Sequence, residues 1–136
     1  MLTCTLELRQ AGSGVAGLEF VLRNTGQCPT VVRYFQPFVD FDLIADAPDG
    51  PVRVVQPALE ISLRPVTLTI EPGEETAIQS PIRLGFDPDV PPSGGTDATR
   101  WSLVRNPSPV RLTVTLRVSG ADLPPCETLF DPAVFT

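Results

Sequence analysis

The chain of 136 residues contains no histidine and no lysine: its ten basic residues are all arginine, set against sixteen acidic ones for a net charge of −6. Without histidine there is no Ser-His or Cys-His nucleophile pair and no imidazole metal ligand, and without lysine there is no Schiff base and no P-loop lysine. The expectation is a non-enzymatic protein that needs no cofactor. Nucleic acid is excluded as a partner, because the arginines are scattered singly among carboxylates instead of forming a phosphate-binding cluster. No apolar run approaches the roughly 20 residues that span a bilayer, and no polybasic patch is offered to anionic lipid. Met1-Leu2-Thr3-Cys4-Thr5 lacks the charged n-region and apolar h-region of a signal peptide, which makes the expected location cytoplasmic. Cys4, Cys28 and Cys126 are irregularly spaced with no C-x-x-C, matching neither a zinc site nor an even disulfide framework, so reduced thiols are expected.

What is abundant is punctuation. Sixteen prolines and ten glycines leave little room for long helices and predict many short segments joined by turns. The hydrophobic pattern agrees. Leu2, Cys4, Leu6 and Leu8 alternate with polar residues, as do Leu18, Phe20 and Leu22, and Val110–Val118 is apolar at every second position. Further strands are read over Thr30–Phe35, Val39–Ile44, Val52–Gln56, Val66–Ile70 and Thr76–Leu84. Between them lie Asn24-Thr25-Gly26, the hairpin pair Asp49-Gly50 and the type II turn signal Glu71-Pro72-Gly73-Glu74. The fold class is therefore all-β, an antiparallel immunoglobulin-like β-sandwich of about seven to nine strands. One domain is expected over 1–118, including a long late loop at 85–109, followed by a C-terminal tail at 119–136.

Candidate sites are few. Gly12-Ser13-Gly14-Val15-Ala16-Gly17 spells G-x-G-x-x-G, but a strand follows where a dinucleotide site needs a helix, so it reads as a hairpin loop. Asp40 and Asp42 fall on one strand face about 7 Å apart and, with Asp46 and Asp49, make a weak calcium candidate. Solvated charges guarding a strand edge explain them equally well. Cys28, in a turn before Pro29, reads as a loop cysteine of no special role. Aromatic and arginine side chains are the ones enriched in interface hot spots, so Tyr34, Phe35 and Phe38 on one segment and Arg100, Trp101 and Arg105 in the late loop are the partner-binding candidates. Phe130 and Phe135 in the tail join them, either docking on another protein or packing back on the sandwich.

Three stretches carry a resemblance: Leu18-Glu19-Phe20-Val21-Leu22-Arg23-Asn24-Thr25-Gly26, Phe41-Asp42-Leu43-Ile44-Ala45-Asp46-Ala47-Pro48-Asp49-Gly50-Pro51-Val52 and Leu68-Thr69-Ile70-Glu71-Pro72-Gly73-Glu74. Over about Leu18–Val118 the chain resembles bacterial immunoglobulin-like domains of the intracellular proteinase inhibitor type from Bacillus. It is similar in turn order to the accessory domains of deuterolysin-type metallopeptidases. The leading functional expectation is a protein-binding or assembly module whose partner is another protein or a second copy of itself. The alternatives are an intracellular protease inhibitor acting through the late loop and a calcium- or carbohydrate-binding module using Asp40, Asp42, Trp101 and Tyr34.

Overall fold

The computed structural model describes residues 1–12, 15–55, 62–86, 100–103 and 109–131, with the backbone alone at 86, 100 and 101. Among these residues the chain forms eleven strands: β1 (Leu2–Gly12), β2 (Val15–Asn24), β3 (Thr30–Gln36), β4 (Phe41–Ala47), β5 (Gly50–Val52), β6 (Val54–Val55), β7 (Arg64–Ile70), β8 (Glu75–Phe86), β9 (Arg100–Leu103), β10 (Val110–Leu116) and β11 (Cys126–Phe130). No helix among them is long and apolar enough to cross a membrane.

The architecture is all-β and sandwich-like. One layer is the sheet β1-β2-β8-β9-β6; the other combines the sheet β11-β10-β4-β5 with the pair β3-β7. Arg33 and Ser119 exchange both backbone hydrogen bonds, at 2.8 and 2.9 Å, which ties β3 to the chain leaving β10. Pairing is antiparallel except between β8 and β9.

Period-two alternation decides which side chains face between the layers. Val110, Leu112, Val114 and Leu116 of β10 are buried, as are Leu18, Phe20 and Leu22 of β2, while Arg111, Thr115 and Arg117 are exposed. Phe20, Phe38 and Phe41 form the centre of the core, with ring centroids 5.3 to 5.9 Å apart. The β7–β8 connection is the type II turn that its residues predict: Glu74 N–H donates to the Glu71 carbonyl at 2.9 Å and Gly73 has φ +79°.

Three expectations are corrected. The stretch 85–109 is not one long loop: β8 continues to Phe86, and β9 adds to β8 in parallel, with Arg83 opposite Arg100 and Leu84 opposite Trp101. Parallel neighbours cannot be joined by a tight turn, which is the physical reason for the long connection. Part of the expected tail is a sandwich strand, since β11 pairs with β10 from Val110–Phe130 to Val114–Cys126. The strand expected at Val52–Gln56 divides into β5 and β6, which belong to different sheets, and this division with β9 and β11 raises the number of strands.

Candidate functional site

The aromatic candidates separate by strand parity. Tyr34 and Phe38 are 7% and 0% exposed, packed edge-on at 5.9 Å, and Phe130 is 0% exposed on the inner face of β11. Burial corrects the assignment of Tyr34 and Phe38 as partner contacts on the surface, and of the two places expected for Phe130 it takes the one packed back on the sandwich. Phe35, one residue from Tyr34 and so on the opposite face, is 48% exposed. Arg100 and Trp101 lie on β9, while Arg105 and Phe135 fall outside the described residues.

Two of the four acidic candidates are held by an arginine that alternation places on a solvent face. Arg117, just beyond β10, bonds Asp40 through Nη1 at 2.7 Å and Asp42 through Nη2. Those bonds, Asp40's foremost, raise the Arg117 pKa from its ordinary value. Asp46 stands opposite Arg111 and Pro51 in the ladders, and Asp49 is exposed in the β4–β5 turn. No group of three potential metal ligands occurs among the described residues, so the calcium candidates are not gathered into a site. Of the side chains in the calcium or carbohydrate reading, Asp40 and Asp42 are paired with Arg117 and Tyr34 is buried, while the side chain of Trp101 lies outside the described residues.

Cys4 and Cys126 form a disulfide between β1 and β11, with a Cα–Cα distance of 5.4 Å. This corrects the expectation of reduced thiols for those two. Alternation put Cys4 on the inner face, but only the fold brings it beside a residue 122 positions away. Cys28 is a free, exposed thiol.

Two polar centres escaped the sequence reading. Glu19, on the outer face of β2, is 8% exposed; its carboxylate accepts hydrogen bonds from Arg9 Nε at 3.2 Å, Arg9 Nη2 at 3.0 Å and Gln79 Nε2 at 3.0 Å. The Arg9 hydrogen bond first, and then that from Gln79, hold its pKa below the ordinary carboxylate value against the cost of desolvation. Asn24 is wholly buried: its amide donates to the carbonyls of Cys28 and Ile70 at 2.8 and 2.9 Å and accepts from Gly26 N–H at 2.9 Å. Strand alternation marks Glu19 as solvent-facing, and nothing in its immediate sequence signals the cover that Arg9 and Gln79 provide.

Two surface grooves stand out among the described residues. The larger, about 950 Å³, lies between the β3–β7 pair and β8, with Tyr34, Phe38 and Ile78 beneath and Gln36, Arg64, Gln79 and Ser80 around it. The smaller, about 470 Å³, follows the β1–β11 seam beside Leu6, Leu8 and Leu129.

The fold and its surfaces define an all-β sandwich-like protein. No family model matches the chain, and no curated protein matches its sequence. Among solved structures, the chain is similar to that described as the solution structure of R. palustris CsgH, with 15% identity over 99% of this chain and 96% of that one and a TM-score of 0.33. None of these comparisons supports the specific resemblance to proteinase-inhibitor or deuterolysin-accessory domains.

Proposed function

We propose that the chain is a non-enzymatic protein-binding or assembly module that works through the outer face of its second layer. The observation that carries this reading is the placement of Ile44 and Leu129, 59% and 61% exposed, on strands β4 and β11 that flank β10 on either side. Their ladder partners are the outward-facing Thr113 and Arg111, so both apolar side chains stand on one sheet face among Asp46, Arg111 and Glu127. Apolar contacts ringed by charge are the composition of a protein interface. The arginine–carboxylate clusters are spent on holding strands together, which favours contact over proton transfer as the working principle. The Cys4–Cys126 bond fits an oxidising compartment better than the cytoplasm expected from the first residues.

The test is site-specific photo-crosslinking from position 44 in cells of the native host. A discrete crosslinked species, homomeric or heteromeric, that disappears when Leu129→Glu is added supports the reading. Absence of any crosslinked species from position 44 overturns it.

A further inference from the structure

The larger groove supports an inference that does not depend on the outer face. We propose that the groove between β3–β7 and β8 binds a small amphipathic anion, an apolar or aromatic body carrying one acidic group. Its volume of about 950 Å³ is that of a small-molecule pocket. The bottom is apolar, formed by Phe38 and Ile78 at 0% and 3% exposed, with Leu63 at the mouth left 44% exposed.

The polar groups around it divide into spent and unspent. Ser80 Oγ donates to the Phe38 carbonyl at 2.7 Å, and Gln79 Nε2 donates to Glu19 at 3.0 Å. Arg64 is the one ionised side chain among the described lining residues, and its hydrogen bond is a single long one, 3.3 Å to Gln36 Oε1. A guanidinium has five N–H donors, so most of its capacity is unused. Tyr34 is 7% exposed, and its hydroxyl meets no hydrogen-bond partner among the described residues, whereas a buried phenol normally has one. The groove thus combines an apolar bottom with a cation and a phenol whose donors are largely not taken up by the described protein groups. The ligand that satisfies both is an acceptor with negative charge attached to an apolar body, and none of the described lining residues is a carboxylate that would repel it.

The experiment titrates the whole chain with 8-anilinonaphthalene-1-sulfonate, followed by fluorescence and by amide chemical shifts. The expected result is saturable one-to-one binding with the largest shifts at Tyr34, Arg64 and Ile78. Arg64→Gln weakens it about tenfold, as befits loss of a charge-assisted hydrogen bond. Tyr34→Phe weakens it several-fold, and the uncharged N-phenyl-1-naphthylamine binds wild type and Arg64→Gln alike. Melting curves of both variants establish that they remain folded; Arg64 is exposed, so its substitution tests charge without disturbing the core. Binding that is unsaturable, that maps to the β1–β11 groove, or that is indifferent to Arg64→Gln overturns the proposal. Because the readout is at Tyr34 and Arg64, its failure leaves the crosslinking result at position 44 unaffected.

Discussion

The two long sides of the sandwich are closed in different ways. Where β1 meets β11, the layers are pinned by the Cys4–Cys126 disulfide, a covalent link between the first and last described strands. Where β7 meets β8, the closure is a turn and one buried amide: Asn24 reaches the Ile70 carbonyl, its own carbonyl accepts from Gly73 N–H at 2.8 Å, and its N–H donates to Glu74 at 3.1 Å. Away from that turn the layers part and leave the larger groove. The side held along one end by hydrogen bonds leaves a groove, whereas the opposite side is held by the covalent pin.

Breaking the pin should have the largest effect. Cys4→Ala with Cys126→Ala is expected to cost about 4 kcal/mol in urea unfolding, because the bridge closes a loop of over a hundred residues in the unfolded chain. Thiol titration of the denatured, unreduced protein should find one reactive cysteine, Cys28, and three after reduction. If three thiols titrate without reductant, the contrast between the two sides is gone.

Next comes the hydrogen-bonded closure. Asn24→Ala leaves the Ile70 and Cys28 carbonyls without their donor in a buried position and is expected to cost about 3 kcal/mol. Amide exchange in β7 and at the start of β8 should accelerate more than exchange in β10. Equal acceleration throughout would mean that Asn24 acts on the whole fold and not on this side.

Within the first layer, Glu19 provides a pH-dependent comparison. Its folded pKa lies below the ordinary value of 4.5, so its stabilisation is fully present above the unfolded-chain pKa and is lost as pH falls through the lower folded value. Glu19→Gln should therefore reduce stability at pH 7 by about 1 kcal/mol and flatten the acid limb of the stability profile. Parallel profiles for wild type and variant would remove Glu19 from that role.

The smallest effect is expected at Arg117. Its partners Asp40 and Asp42 have side chains 40% and 53% exposed, and pairs so wet contribute little. Arg117→Gln should cost about 0.5 kcal/mol at low salt and less at high salt, as equilibrium unfolding at two ionic strengths will show.

Much of the fold was legible because strands write their faces into a two-residue period. β2 and β10 bury the residues that alternation assigned to the core, and the Pro-Gly turn at 72–73 has the geometry that its residues require. The candidate surface was read less well for the same reason. Aromatic composition drew attention to Tyr34, Phe35 and Phe38 together, but parity turned one outward and the core took the other two. β9 was hidden because its partner is a parallel strand reached by a crossover, so no nearby turn announces it.

By itself the sequence determined the all-β class, the inward set of each regular strand and the turns between them, because these follow from alternation and backbone sterics within a few residues. The tertiary structure alone decided that Cys4 meets Cys126, that Arg117 takes both Asp40 and Asp42, that Asn24 bonds Ile70, and that Tyr34 and Arg64 line one groove. The bonded partners among these stand 46 to 122 positions apart. Local sterics carry no information over such distances; only the packing of one layer on the other does.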